Sequence, residues 1–142
     1  METTANLEYL TAFLAREGYP ISETGDNFVT FQHGHRTFVI ALDLNDHHYF
    51  RMILPNFATI DDSLDLDRVS IIASHVTAEV KAAKVFAVGD KVWATIETLV
   101  ESHDQTAAVF SRMLELLGAA EELFLSMFNR EEEAEAETAE AV

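Results

Sequence analysis

The sequence predicts an α+β fold in the order helix, three or four antiparallel strands, helix, β-hairpin, long helix. Three observations carry this reading. Leu66, Val69, Ile72, Ala73, Val76 and Val80 recur at three- and four-residue steps and so share one face of a helix over 63–80. The period then changes to two: residues 84–88 and 91–100 alternate around Gly89-Asp90, a two-residue turn whose leading glycine favours type II′. Finally, residues 103–129 return to helical period with an apolar stripe too broad for an exposed helix.

In chain order, the first helix spans 4–17. Leu7, Leu10, Phe13 and Leu14 form its stripe, Thr3 or Thr4 caps it, and Gly18 stops it with Pro20 just beyond. Strands follow. Ile21–Thr24 is short, and Gly25-Asp26-Asn27 has turn chemistry. Phe28–Gln32 comes next, then a tight turn at His33-Gly34. Arg36–Leu42 is apolar on both faces, which predicts a central strand with cover on both sides. A fourth strand alternates from His47 to Leu54, and Pro55 should end it by removing a ladder donor. Phe57 and Ile60 anchor the connection to the central helix. Asp62 caps that helix, and Asp61, Asp65 and Asp67 compensate its dipole. In the last helix Ser102 and Gln105 fit a capping box, Phe110, Leu114, Leu117, Phe124 and Phe128 form the stripe, and Gly118 allows a bend or a close approach.

The chain of 142 residues fits one domain, expected over 1–130. Residues 131–142, EEEAEAETAEAV, are low-complexity and acidic, and are expected to fray as a disordered tail. Net charge is −16. Six of the 25 acidic residues lie in that tail, so the body keeps 19 against nine basic residues, a net −10. Such a surface repels phosphate, which argues against nucleic-acid or anionic-membrane binding and leaves solubility or a basic partner as its meaning. There are no cysteines, so disulfides and thiolate sites are excluded. No leader pattern occupies residues 1–20 and no apolar run is long enough to span a membrane, so the expected location is the cytoplasm.

No phosphate loop, dinucleotide fingerprint, nucleophile elbow or His-Glu-x-x-His is present, and no cofactor or metal is expected. His33 and His35 flank one turn, while His47 and His48 lie beyond another at the far end of the intervening strand, too far for one zinc site within a subunit. Asp61, Asp62, Asp65 and Asp67 do not make a calcium loop, because Leu66 and Ile72 stand where glycine and glutamate are required. Glu97 shares a strand face with Trp93 and is solvated or the one polar group on an apolar face.

The blocks LEYLTAFLAREGYPI, FVTFQHGHRTFVIAL and RVSIIASHVTAEVKAAKVFAVGDKVWATIETLV, closed by TAAVFSRMLELLGAAEELF, resemble the YbjN-like family, which shares the fold of type III secretion chaperones. The likeness covers about 7–129. Ala73, Ser74, His75 and Val76 stand where that family commonly has an asparagine-rich segment. The resemblance implies a homodimer that binds protein partners or unfolded segments, with no catalysis; secretion chaperones of this fold hold extended segments of their effectors.

The expected role is therefore a non-catalytic protein-binding module, chaperone-like and homodimeric. Its self-complementary surface is expected on the central helix (Val69, Ile72, His75, Val76) or the hairpin (Phe86, Trp93). The competing expectation is a small-ligand-binding protein or enzyme with a pocket between sheet and helices, using Glu97, His75 and Tyr49. A third is a metal held by histidines across a dimer interface.

Overall fold

The computed structural model describes residues 2–141. Its elements are α1 (Glu2–Arg16), β1 (Ile21–Thr24), β2 (Phe28–His33), β3 (Arg36–Asp43), β4 (Asp46–Thr59), α2 (Ser63–Glu79), β5 (Lys84–Val88), β6 (Lys91–Leu99) and α3 (Asp104–Ala141). The strands form one antiparallel sheet in the order β1-β2-β3-β4-β6-β5. The first four strands make a meander, in which each tight turn leaves no alternative but an antiparallel neighbour. The chain then leaves the sheet through α2 and returns so that β6 lies against β4 and β5 takes the edge.

Local chemistry explains the punctuation. Tyr19 N–H donates to the Leu14 carbonyl at 2.9 Å, closing the last turn of α1. Asp62 caps α2 by accepting from Asp65 N–H at 2.9 Å. Gly89 has φ +61° and Val88 pairs with Lys91, which gives the two-residue hairpin turn. The turn at the start of β3 sits at Gly34-His35, one residue later than expected, with His33 paired to Arg36.

Two expected boundaries are corrected. Pro55 does not end β4. The strand carries it at an irregularity between Leu54 and Ala58, where Asn56 takes φ +55°, so no ladder N–H is required there, and pairing with β6 resumes at Ala58 and Thr59. The last helix does not stop near 129 but runs to Ala141. Its alanines and glutamates favour helix intrinsically, and Arg68 of α2 lies against it: the guanidinium sits 4.8 Å from the Phe128 ring centroid and 3.4 Å from Glu132.

All three helices pack on one face of the sheet. The core joins Leu10 and Leu14 of α1, Val69, Ile72 and Val76 of α2 and Phe110, Leu117 and Phe124 of α3 to Phe31, Phe38, Ile40, Phe50, Met52, Leu54, Val92 and Ala94 of the strands. Each of those strand residues points the same way, because alternate residues share a face. The expectation that β3 is covered on both sides is corrected: β3 is central, but Val39 and Ala41, on its other face, are half-buried and lie under no helix.

Candidate functional site

Three places on the surface carry the residues singled out by sequence. The first is the outer side of α2. Val69, Ile72 and Val76 do not belong to it. They are 1%, 0% and 0% exposed, seated in the core, so the expected surface on that stripe is corrected. The stripe is the ordinary buried face of an amphipathic helix. His75 is exposed on the opposite side. With it α2 exposes Leu64, Leu66 and Ile71, among Asp61, Asp62, Asp67 and Glu79. Leu66, expected in the stripe, stands 44% exposed because it precedes the first turn that reaches the core.

The second place is the uncovered face of the sheet. Phe86 and Trp93 are cross-strand partners there, half-buried, with ring centroids 6.5 Å apart. Trp93 Nε1–H donates to Asn56 Oδ1 at 2.9 Å, which fixes the indole over the β4 irregularity. Next to them Ile53 and Thr95 pair across β4 and β6. They are 5% and 0% exposed although no helix covers them; Trp93, Arg51, Lys84 and Phe86 are their neighbours on the same face by strand register. Tyr49 O–H donates to Glu97 at 2.5 Å, and Lys84 closes an ion pair on the same carboxylate. The Lys84 and Tyr49 hydrogen bonds hold Glu97 below the usual carboxylate range. Burial, then the bond to Glu97, pushes the Tyr49 phenol up to about 12. These are the signatures of a stable pair and not of a poised acid or base. His75 lies on α2, on the far side of the sheet, so the three polar candidates do not converge. The space between sheet and helices is filled by the aromatic core.

The third place is the end of the sheet where β4 begins. Here the structure gathers residues that sequence reasoning left apart. The His47 and His48 rings lie with centroids 4.1 Å apart and planes inclined by 45°, and His103, at the head of α3, reaches back to them. His103 Nε2 donates to the His47 carbonyl at 3.1 Å, leaving Nδ1 buried with no partner. His48 Nδ1 donates to the Val100 carbonyl at 2.8 Å, and Val100 N–H returns a bond to the His48 carbonyl. Burial, with the charges of His48 and His47, holds the His103 imidazole below its ordinary value. The ring is thus a structural latch between α3 and β4. Among the described residues no group of three or more His, Asp or Glu side chains is placed to hold a metal ion. Sequence missed this corner because only the β4–β6 pairing brings residue 103 next to residue 47. The helix start also departs from a capping box: Gln105 Oε1 accepts from Glu101 N–H, and the Ser102 hydroxyl turns to Asp104.

A groove that no motif announced runs along α1. It encloses about 750 Å³ between Leu7, Ala12 and Ala15 of α1, Gly25 at the β1–β2 turn and Leu44 at the β3–β4 turn, with Glu8 and Asp26 at its rim. Leu44 is 63% exposed at its mouth, and β1, which borders it, has a partner on one side only. Midway along α3, Arg36 Nε donates to Glu121 at 2.5 Å. The guanidinium passes 3.1 Å from where a Cβ on Gly118 would sit, which accounts for glycine within the helix.

No family model matches the chain, and no curated protein matches it in sequence. Solved structures do match in fold. An uncharacterized protein from Methanothermobacter thermautotrophicus aligns with TM-score 0.62 at 9% identity, covering 89% of this chain and 98% of that one. YbjN from E. coli aligns with TM-score 0.64 at 16% identity over 88% and 92%. A chain of the ExsC-ExsE complex aligns with TM-score 0.62 at 13% identity over 90% and 97%. Identities this low speak for architecture alone. The helix order, the single antiparallel sheet and the long closing helix of this chain are those of the YbjN-like, type III secretion chaperone-like fold.

Proposed function

We propose that this chain is a non-catalytic protein-binding module that acts as a homodimer in the cytoplasm and holds an extended segment of a partner protein, in the manner of a chaperone. The folded unit in this reading is residues 1–130, with 131–142 as an acidic appendage. The observation that carries it is the groove along α1, open to solvent, lined by Leu7, Ala12, Ala15 and Leu44, and bordered by the unpaired edge of β1. An extended peptide laid there can hydrogen-bond the free ladder groups of β1 while its side chains fill the groove. Glu8, Asp26 and the net charge of −16 favour a neutral or basic segment. In support, Tyr49 and Glu97 lie on one face of the sheet and His75 on a helix packed against the other.

The test is capture of binding proteins on the tagged full chain, followed by peptide arrays of whatever is retained. Wild type should bind discrete segments, and Ala12→Arg, which fills the groove without touching the core, should lose them. Binding that ignores Ala12→Arg, or a small molecule carried through native mass spectrometry with no peptide bound, would overturn the reading.

A further inference from the structure

The second copy of the chain has two exposed apolar surfaces to choose between, and charge separates them. On α2, Leu64, Leu66 and Ile71 are set among Asp61, Asp62, Asp67 and Glu79. A two-fold contact there would bring each carboxylate cluster against its own image, and like charges across a closing interface are costly. The uncovered sheet face differs. Arg51, Lys84 and Lys91 stand there against Glu23, Asp43, Asp46 and Glu97, three basic against four acidic, a far more even set than the nine basic and 25 acidic residues of the chain. Around them lie Val39, Ile53, Phe86, Trp93, Val88 and Leu99, the last 75% exposed.

Two further observations point the same way. Two of the buried side-chain atoms left without a hydrogen-bond partner, Thr95 Oγ1 and Arg51 Nε, both belong to this face. The face is also large enough. At about 3.3 Å per residue and 4.8 Å between strands, the strands present roughly 700 Å², close to the ~800 Å² per partner of a standard interface. From these we infer that the uncovered face of the sheet is the self-association surface, packing against the same face of a second copy. Leu99, Trp93 and Phe86 form its apolar patch, and Arg51 of one copy faces the Glu97 side of the other. This rests on the homodimer reading above and names the surface that reading left open. The groove along α1 stays free on each copy, because α1 packs on the other side of the sheet.

Sedimentation equilibrium and light scattering on the full chain test it, across micromolar concentrations. Wild type should be a dimer. Leu99→Asp should raise the dissociation constant by about 30-fold, and adding Val88→Asp should leave a monomer. Both positions are exposed in the single chain, so circular dichroism melts should show the variants folded. Ile71→Asp, on α2, should leave the dimer unchanged. A dimer lost with Ile71→Asp but kept with Leu99→Asp overturns the proposed surface and leaves the homodimer standing. A dimer indifferent to all three overturns the surface as well. A wild-type monomer at every concentration overturns both.

Discussion

The two faces of the sheet are built by the same strands on the same hydrogen-bond ladders, and they have opposite characters. One face, bearing Phe31, Phe38, Ile40, Phe50 and Met52, lies under three helices and excludes water completely. The other, bearing Val39, Arg51, Ile53, Trp93 and Thr95, has no helix over it, and Ile53 and Thr95 are buried there among the side chains of their own sheet. Adjacent residues Met52 and Ile53 are both buried, yet Met52 belongs to the core and Ile53 does not. Burial alone therefore does not define the core. What defines it is whether the burying groups come from another layer, and only such a layer excludes water without relying on mobile side chains.

That contrast can be broken by experiment. The largest effect should come from the covered face. Phe124→Ala removes a fully buried ring in contact with Phe57 and Phe128 and should cost about 3–5 kcal/mol in urea denaturation. Trp93→Ala, a larger deletion on the uncovered face, should cost well under that in the monomer. Equal losses would mean the two faces are energetically alike.

Next comes Thr95→Val. The Thr95 hydroxyl is buried with no hydrogen-bond partner, so an isosteric apolar replacement should leave stability unchanged or raise it by about 1 kcal/mol. A loss of that size would show that the hydroxyl is satisfied in solution.

Acid should reach the two faces at different pH. His103 packs 6.1 Å from Phe50 on the covered side, and its folded pKa lies below its ordinary value because of burial. Protonation therefore favours the unfolded chain. Its contribution is complete above about pH 6.5 and is lost as pH falls through the lower folded value. Glu97, on the uncovered face, is depressed by Lys84 and Tyr49, so its contribution is present above about pH 4.3 and is lost only as pH falls through its own lower value. Urea stability against pH should thus decline first in a step that His103→Gln removes. Fluorescence of Trp93, the only tryptophan, should report the uncovered face later in the titration. Simultaneous steps would contradict this order.

The smallest effect concerns the end of α3. Glu131 and Glu132 lie 4.0 and 3.4 Å from Arg68 and are half-exposed. Replacing both with alanine should cost no more than about 0.5 kcal/mol. Hydrogen exchange should show whether residues beyond 132 exchange like free chain, as the charge repulsion expected from sequence predicts.

Much of the fold was legible. The stripes on α1, α2 and α3, the hairpin turn at Gly89 and the Asp62 cap follow from periodicity and turn chemistry, because those depend on neighbours within about four residues. The candidate surface was less legible. A stripe of Val69, Ile72 and Val76 states that one side of a helix must be buried, and is silent on whether its own sheet or a partner does the burying. In sequence Pro55 looks like a stop because its missing N–H is fatal in a regular ladder, whereas a local irregularity removes the need for that donor.

Sequence by itself determined the type and order of the elements, where most turns fall, and that no catalytic motif is present. Tertiary structure alone decided that β6 enters the sheet beside β4, and everything else hangs on that step. It puts all the helices on one face, leaves Trp93 and Leu99 on the other, and carries His103 to His47. The reason is physical. Period and turn type are set by short-range sterics and hydrogen bonding, while strand order is settled by which distant apolar faces bury the most surface together, a sum over the whole chain that no local window contains.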